Sequence, residues 1–205
     1  MYKQFFKRVL DFVLAVFGFI LLFPIFLVIW TILLFVNNGK PFFLQPRPGK
    51  DGKVFSIIKF KSMTDKKDEK GQLLPNNLRV TKFGSFLRKS SLDEIPQLLS
   101  IIKGDMSLVG PRPLRIHYLP YYTTREKKRH EVRPGITGLA QVSGRNALAW
   151  DERLEMDVKY VENLTFATDI KILFLTSARL FNTDNQVTNT ELRPLDYYRE
   201  PQSFT

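Results

Sequence analysis

The longest apolar run of the chain lies near its N-terminus, at residues 9–36, and is interrupted only by Asp11 and a few small or polar residues such as Thr31. As a helix, its roughly 28 residues would extend about 42 Å at about 1.5 Å per residue, whereas about 20 residues suffice to cross a hydrocarbon core. A signal peptide fits poorly, because its apolar region is shorter and ends at a small-residue cleavage site. The pattern therefore predicts a helix that enters a membrane.

The path of this helix depends on Pro24, which lies near its middle. A proline there removes one backbone hydrogen bond and kinks the helix. Both flanks are basic, with Lys3 and Lys7 before the run and Lys40 and Arg47 after it, so the positive-inside tendency does not select an orientation. Two topologies stay open from these features: a re-entrant helix bent at Pro24 with both ends on one side, and a tilted span with a kink.

The remaining pattern predicts shorter elements. Strand-forming residues follow a turn at residues 51–52, and the polar stretch after them predicts a solvated loop. A helix is predicted after the acidic pair, and it should stop at Gly104. Residues 114–129 mix tyrosines with basic residues, which suits either a headgroup-level surface or a solvated helix face. The expected elements are a strand at 54–60, a loop at 63–77, helices at 79–90, 98–103, 150–164 and 169–181, and a tail from 182.

The composition limits the kinds of molecule and metal ion that the protein is expected to bind. The 205 residues allow one ordinary domain plus an appendage, and the formal charge of +11 calls for an acidic partner such as nucleic acid, an anionic membrane or a nucleotide. There is no cysteine, which excludes disulfides and thiolate metal sites, and with two histidines a histidine-rich metal site is not expected. The glycine-containing stretch at 133–146 lacks the strand-then-helix dinucleotide fingerprint, so a Rossmann fold is not expected.

Candidate chemistry concentrates in two neighbouring segments, SLDEIPQL at 91–98 and GDMSLVGPRP at 104–113. Asp93 and Glu94 are adjacent carboxylates, and Arg112 stands between two prolines that restrict its backbone. Magnesium usually binds through one or two carboxylates plus substrate phosphates, and arginine binds phosphate through its planar fork. These segments indicate a phosphate and metal site. The alternative is a capping box, in which Ser91 and Glu94 only satisfy the first amides of a helix.

Further motifs surround these two segments in a fixed order. An N-terminal apolar run with a central proline precedes KFKSM at 59–63, and RPGITG at 133–138 follows the acidic pair. This series resembles the small monotopic phosphoglycosyl transferases, the PglC-like members of the bacterial sugar transferase family, over roughly residues 1–180. One departure is that Phe23 precedes Pro24, where well-known members of that family carry serine.

The resemblance implies an activity and a mechanism. Such enzymes transfer a sugar 1-phosphate from a UDP-sugar to undecaprenyl phosphate and release UMP, the first membrane step of glycoconjugate assembly. Asp93 would be the nucleophile that forms a phosphosugar-aspartyl enzyme, and it would also bind Mg²⁺. Glu94 would act beside it, either as a metal ligand or as a base. An N-acetylated hexosamine derivative is the sugar that the resemblance suggests.

The binding residues are carried over in the same way. Arg112 is the first candidate to hold phosphate, and further candidates lie in the other basic motifs. These are Arg88 and Lys59 for phosphate, and Arg145 and Asn146 near the sugar or nucleotide.

The expected fold is α/β and dominated by helices, with a small sheet and amphipathic helices at the membrane surface. The expected parts are a re-entrant membrane helix at 1–38, a catalytic domain at 39–181 and a tail at 182–205. The resemblance places the protein in one leaflet of the bacterial inner membrane, with its active site at the cytoplasmic face. Its expected partners are the UDP-sugar, undecaprenyl phosphate, membrane phospholipids and downstream glycosyltransferases.

A second function stays open from the residues alone. A membrane-anchored, non-enzymatic protein could use its basic surface to bind anionic lipid or nucleic acid. No nucleic-acid-binding module is recognisable, and the acidic pair lies among the basic motifs, so nucleic acid is not an expected partner. A multi-spanning polyprenyl transferase is excluded because one hydrophobic run cannot build a helix bundle in the membrane.

Overall fold

The computed structural model describes residues 2–144, 148–181 and 193–201. The chain folds as short helices around two small sheets, with one long N-terminal helix. After a π-helical turn at Tyr2–Phe6, the α-helices are α1 Lys7–Val36, α2 Asn76–Arg79, α3 Lys82–Lys89, α4 Gln97–Lys103, α5 Thr124–Lys127, α6 Leu139–Ser143, α7 Trp150–Glu162 and α8 Phe166–Phe181. The strands are β1 Phe42–Pro48, β2 Val54–Phe60, β3 Ser107–Val109 and β4 Gly135–Thr137. This confirms a helix-dominated α/β fold with small sheets.

Helix α1 confirms the predicted apolar helix and extends it by two residues at its start. It is the one helix among the described residues that is long and apolar enough to cross a membrane. Helical structure continues through Pro24 to Val36, so the helix is not divided in two at the proline. The predicted re-entrant path therefore rests on how α1 lies against the rest of the protein, not on a gap in the helix.

The first turns of α1 carry charged side chains that are buried in the protein. Lys7 Nζ lies 2.6 Å from Asp169 Oδ2 on α8. Asp11 accepts hydrogen bonds from the Ser107 hydroxyl at 2.6 Å and from the Leu108 backbone N–H at 3.1 Å. Because buried charges need partners, these contacts fix the N-terminal end of α1 against α8 and β3.

The second half of α1 packs on a different part of the same body. Phe26, Ile29 and Leu33 are buried in one apolar cluster with Phe60 of β2 and Leu87 of α3. Both ends of α1 therefore contact the body formed by residues 42–181. The outward face of the helix is apolar along its whole length, from Val9 to Val36.

The two sheets are small and differ in type. β1 and β2 form an antiparallel hairpin whose register pairs Phe42 with Phe60 and Pro48 with Val54. The turn at 50–52 supplies the positive φ angles that the hairpin needs, at Asp51 (55°) and Gly52 (72°). β3 and β4 pair in parallel, which places the segment after β3 beside the RPGITG motif. The predicted strand at 54–60 is confirmed, whereas β1, β3 and β4 were not predicted.

Most predicted helices are present with shifted ends. Helix α4 stops at Gly104, whose φ of 101° is the left-handed conformation that favours glycine. The loop at 63–77 is irregular apart from isolated bridges and the first residues of α2. The exposed side of α8 carries Phe166, Ile170 and Phe174, and Ile172 is buried on its other side. This amphipathic pattern agrees with the expected interfacial helices.

Residues 114–129 match the predicted exposed surface only in part. Tyr118, Tyr122 and Arg129 are buried, because short helical turns fold their rings and guanidinium inward. The Arg129 guanidinium carbon lies 5.4 Å from the centre of the Tyr122 ring. The inward side of this segment is therefore part of the core around α7, whereas Arg125, Lys127 and Lys128 are exposed, as the solvated alternative predicts.

Residues 193–201 fold back onto the same core. Leu195 is fully buried, and Arg199 forms an ion pair with Glu126 at 2.8 Å. Part of the predicted tail therefore packs on the body formed by residues 42–181. The division into segments at residues 38 and 181 stays a prediction.

Candidate active site

The acidic pair lies in a short 3-10 turn, Leu92–Glu94, between α3 and α4. Ser91 precedes it in the left-handed conformation (φ 57°, ψ 14°), and its side chain makes no cap hydrogen bond. Its backbone carbonyl instead accepts the Glu94 N–H at 3.1 Å. The capping-box alternative is therefore wrong, because Ser91 turns away from the helix start and the Glu94 carboxylate is engaged elsewhere. The left-handed Ser91 turns the chain so that the acidic pair faces a cavity.

Asp93 is 9% exposed and lines a cavity of about 580 Å³. Within residues 2–144, 148–181 and 193–201, no side chain forms an ion pair or hydrogen bond with its carboxylate. Burial raises the pKa of Asp93, and the nearby Lys59 opposes that rise. Among the described residues Asp93 thus has no permanent partner, and a carboxylate that lines a cavity in this way suits a nucleophile or a metal ligand.

Glu94 has the opposite environment. Its Oε1 lies 2.5 Å from Lys59 Nζ and 3.4 Å from Arg112 Nη2. Burial alone would raise the pKa of Glu94, but Arg112 and Lys59 outweigh burial and lower it to about 2. Glu94 is therefore a permanent anion that holds two cations beside Asp93.

Four cationic side chains among the described residues line the cavity: Lys59, Arg88, Arg112 and Arg153. Arg88 Nε donates to the Ser62 hydroxyl at 2.8 Å, so the KFKSM motif orients it. The structure thus brings the predicted residues Asp93, Glu94, Lys59, Arg88 and Arg112 to one cavity, and their roles stay predictions. Arg145 and Asn146 lie outside the described residues.

The loop that carries Arg112 is fixed from both sides. The Gly110 N–H donates to the Thr137 carbonyl at 2.9 Å, and the Gly135 N–H donates to the Pro111 carbonyl at 3.0 Å. A Cβ added at Gly135 would lie 2.1 Å from the Gly110 backbone nitrogen, so no other residue fits between these segments. The parallel pair β3–β4 therefore holds the GPRP and RPGITG motifs side by side.

Arg129 binds the backbone of the same loop. Its Nη2 donates to the Arg112 carbonyl at 2.6 Å and to Asp157 Oδ2 at 2.7 Å. The side chains of Arg129 and Asp157 are both almost fully buried. This pair links α7 to the backbone that positions Arg112.

Several residues that line the cavity were not predicted from the sequence. They are Leu22 of α1, Ser91 as a lining residue, Thr137 of β4, and Arg153 and Asp157 of α7. Arg153 and Asp157 belong to a helix whose charged positions look like a solvated face, and Leu22 is one of many apolar residues in its run. Only the packing of α1 and α7 around the acidic turn reveals them.

A divalent metal has few protein ligands available here. The described part of the chain contains no group of three or more histidine, aspartate or glutamate side chains that could hold an ion. Asp93 offers one open carboxylate, and Glu94 stands beside it in sequence. Magnesium accepts such a sparse set, because it keeps several waters and takes further oxygens from substrate phosphates. The donor set of the described residues therefore fits magnesium better than a metal that needs an all-protein cage.

A carboxylate, a fixed anion and four cations in one cavity suit phosphate chemistry. Cations that neutralise phosphate oxygens allow an anionic carboxylate to approach phosphorus. Apolar side chains also line this cavity, among them Leu22, Ile95 and Leu98. The cavity can therefore take a charged group and an apolar group together.

Comparison with known proteins identifies the family. The sequence model of the family described as bacterial sugar transferase matches residues 2–183. An uncharacterized sugar transferase, EpsL of Bacillus subtilis, is 49% identical over 186 residues, which cover 89% of this chain and 91% of that protein.

Two longer relatives have more specific names. The UDP-glucose:undecaprenyl-phosphate glucose-1-phosphate transferase of Klebsiella pneumoniae is 40% identical over 83% of this chain. The undecaprenyl-phosphate galactose phosphotransferase of Salmonella typhimurium is 37% identical over 89% of it. The matches span 39% and 42% of those two proteins. The family match and these identities confirm the resemblance drawn from the motifs: the chain belongs to the bacterial sugar transferase family.

Proposed function

We propose that this protein transfers a sugar 1-phosphate from a UDP-sugar to undecaprenyl phosphate and releases UMP. The observation that carries the proposal is the open carboxylate of Asp93, next to the ionised Glu94 and among cations in one cavity. The names of two relatives state a transfer of this kind, to undecaprenyl phosphate. A purely binding function gives no reason for an unpaired carboxylate in a cationic cavity.

In the first step, an Asp93 carboxylate oxygen attacks the β-phosphorus of the UDP-sugar. A bond forms between that oxygen and phosphorus, and the bond from phosphorus to the bridging oxygen breaks. The electron pair leaves with UMP, and the sugar phosphate stays on Asp93. Arg112 and Lys59 offset the negative charge that would otherwise repel the attack.

In the second step, an oxygen of the lipid phosphate attacks the same phosphorus. The bond to Asp93 breaks, its carboxylate is restored, and the sugar diphosphate lipid leaves. A phosphate monoester has a second pKa of about 6, so near pH 7 it is mostly a dianion and needs no base. Glu94, with a pKa of about 2, would in any case be a weak proton acceptor. This favours Glu94 as a fixed anion or metal ligand over a general base.

Magnesium is the proposed cofactor, and it would supply charge neutralisation at the two phosphates of the donor. Asp93 is the residue proposed to hold it, because its carboxylate is open to the cavity. Glu94 could contribute an oxygen only by sharing it with Lys59 and Arg112. The expected result of metal removal by a chelator is loss of UMP release, restored by added magnesium.

The arrangement of α1 supports a monotopic placement in one leaflet. Both ends of α1 pack on the same catalytic body, through Lys7 near its start and Leu33 near its end. A straight span would place these ends on opposite sides of the bilayer, so their contacts with one body support the monotopic placement. The apolar outward face of α1 would lie in lipid, and we propose that the cavity faces the cytoplasm. Leu22 in the cavity wall would then meet the lipid acceptor.

This placement can be tested by cysteine labelling, because the chain has no cysteine. Single substitutions Lys3→Cys and Lys40→Cys put exposed thiols before and after α1. In sealed inverted membrane vesicles, an impermeant maleimide should label both. Labelling of only one would mean that α1 spans the membrane.

The function itself is tested by UMP release in detergent or nanodiscs, with undecaprenyl phosphate, magnesium and a panel of UDP-sugars. The panel includes the UDP forms of N-acetylated hexosamines, which the sequence resemblance suggests. It also includes those of glucose and galactose, the sugars in the names of the two relatives. We expect Asp93→Asn to lower the rate about a thousandfold or more. Asp51→Asn, the same change at an exposed turn, is the matched control.

Release with one donor that is lost only in Asp93→Asn would support reaction and nucleophile together. Full activity of Asp93→Asn would refute the nucleophile. Absence of release from every donor, with steeply salt-dependent binding to anionic lipid or nucleic acid, would favour the non-enzymatic alternative.

A further inference from the structure

A second, smaller cavity adjoins the main cavity that Asp93 lines. Its volume is about 40 Å³, and Asp93 is not among its lining residues. Lys59, Glu94 and Arg112 line both cavities, so these three side chains are common to the two spaces. The small cavity, here called the Arg47 cavity, has three further polar side chains that the main cavity lacks. They are Gln45, Arg47 and Gln97.

Arg47 is a cation without an anionic partner. Its Nη2 donates to Gln45 Oε1 at 2.6 Å, and its Nε is buried and makes no hydrogen bond. No carboxylate in the described part of the chain forms an ion pair with it. Burial, together with the charges of Arg112 and Arg115, lowers the pKa of Arg47 to about 10. A cation withdrawn from water normally has a counter-charge, and an anion in the cavity would supply it.

Gln97 is a second polar group of the same cavity that lacks a partner. It begins α4 and is only 3% exposed. Within residues 2–144, 148–181 and 193–201, its side-chain amide makes no hydrogen bond. Buried amides are nearly always hydrogen-bonded, so an amide left open at a cavity indicates a bound group that completes it. Water would satisfy Gln97 but not the charge of Arg47, whereas an anion satisfies both.

The size of the Arg47 cavity limits what this anion can be. A water molecule needs roughly 10–15 Å³ of such space, so a volume of about 40 Å³ holds about three waters. That space suits one phosphate group and is too small for a sugar ring or a base. The planar fork of an arginine binds two phosphate oxygens, and the N–H of a glutamine amide can donate to a third.

The charge of the cavity fits the same group. Three cations, Arg47, Lys59 and Arg112, face one carboxylate, Glu94, which leaves an excess of two positive charges. A phosphate monoester carries about −1.5 to −2 charges near pH 7. A phosphate would therefore neutralise the lining, while a neutral occupant would leave the repulsion between the cations in place.

We propose that the Arg47 cavity is a phosphate-binding site, in which Arg47 and Gln97 hold the phosphate together with Arg112. The phosphate belongs either to the nucleotide or to free inorganic phosphate. In both cases it competes with Glu94 for Arg112, whose Nη2 lies 3.4 Å from Glu94 Oε1. The site therefore links phosphate binding to a cation of the main cavity. This inference goes beyond the proposed function, because it uses neither Asp93 nor the covalent intermediate.

The test is calorimetric titration of the full chain in nanodiscs with inorganic phosphate, UMP and uridine. Ionic strength is held constant, and no magnesium is added, so that no metal at Asp93 holds the phosphate. Loss of a charged hydrogen bond predicts that Arg47→Gln weakens phosphate binding by roughly 10- to 100-fold. Arg47→Lys keeps the charge but loses the fork, so it should weaken binding less. Gln97→Leu removes one neutral donor and should weaken binding by roughly two- to tenfold.

Arg79→Gln is the matched control. Arg79 also donates to one amide, Asn76 Oδ1 at 2.7 Å, and its Nε is likewise buried without a hydrogen bond. It lines neither cavity, so an unpartnered Nε is present without the proposed site. We expect this variant to bind phosphate and UMP as wild type does. A thermal midpoint shows that each variant is folded.

The three ligands distinguish the source of the phosphate. If the nucleotide supplies it, Arg47→Gln weakens binding of UMP by the same factor and leaves binding of uridine unchanged. If the site takes free phosphate, Arg47→Gln loses phosphate binding and keeps UMP binding. Inorganic phosphate should then inhibit UMP release by wild type more strongly than by Arg47→Gln. Either result supports the site.

Three results would overturn the inference. They are absence of phosphate and UMP binding by wild type, unchanged binding of both ligands by a folded Arg47→Gln, and an equal loss in Arg79→Gln. Should Arg47→Gln not fold, unchanged binding of both ligands by Arg47→Lys and Gln97→Leu would overturn it instead. The titrations involve no turnover, so absence of UMP release would refute the proposed function and leave this test unaffected.

Discussion

The buried pair of Arg129 and Asp157 allows a quantitative test of how the loop that carries Arg112 is supported. Arg129→Met keeps most of the aliphatic length and removes every donor. Asp157, whose pKa burial raises although Arg129 opposes the rise, would be left without its partner. The Arg112 carbonyl would lose the donor that lies 2.6 Å away. We expect loss of stability and, in the folded fraction, weaker positioning of Arg112.

The magnitude follows from the burial of both side chains, which are 2% and 4% exposed. Removing one member of a buried ion pair costs about 3–5 kcal/mol, because the other charge stays in a low dielectric. With about 2–4 °C per kcal/mol for a chain of this size, the midpoint should fall by about 6–20 °C. Asp157→Asn should have a comparable effect, since it leaves Arg129 unpaired. The double variant should lose less than the sum, because no buried charge is left without a partner.

The assay is thermal unfolding by circular dichroism in one detergent, with UMP release measured on the same samples. Arg125→Met is the control, since this arginine contacts the same helix at the surface, and its midpoint should not change. Two results would refute the reasoning. One is an Arg129→Met protein as stable as wild type, and the other is a double variant that loses the full sum of both effects.

Two further predictions concern stability. Burial lowers the pKa of His130 from 6.5 to about 4, so the unfolded chain binds the proton more tightly than the folded protein. The free energy of unfolding should therefore decrease by about 3 kcal/mol as pH falls from 6.5 towards 4. His130→Gln should therefore flatten the pH dependence of the midpoint in that range, and an unchanged slope would contradict this. Gly135→Ala should lower the midpoint, because its Cβ would lie 2.1 Å from the Gly110 nitrogen and 2.4 Å from the Thr137 carbonyl. Gly18→Ala, whose nearest contact is at 3.9 Å, should not lower it.

Local patterns were enough to predict the elements that depend on local chemistry. The apolar run gave α1 within two residues of its start, and the left-handed Gly104 ends α4 where the sequence predicted. The acidic pair and Arg112 were predicted to act together, and the structure joins Glu94 to Arg112. The parallel pair β3–β4, which holds the loop of Arg112 beside the RPGITG motif, was not predicted from the sequence.

The features that were not predicted from the sequence all depend on tertiary packing. Ser91-x-x-Glu94 satisfies the capping-box pattern, but Lys59, 35 positions away from Glu94, takes the carboxylate. Arg129 was read with a lipid-facing or solvated stretch, although Asp157 draws it into the core. No local sequence pattern marks Arg153 as a site residue, because only the folded chain shows that it lines the cavity. Contacts between distant segments cannot be read from periodicity, which reports only on neighbours along one element.

The measurement that tests the central claim most directly is intact-protein mass after mixing with a UDP-sugar and magnesium in the absence of lipid acceptor. The account predicts a burst of about one UMP per enzyme, together with a mass increase of one sugar phosphate that maps to Asp93. Undecaprenyl phosphate should then discharge the adduct, and Asp93→Asn should show neither burst nor adduct. UMP release that occurs only when the acceptor is present, with no adduct on an active enzyme, would contradict the account.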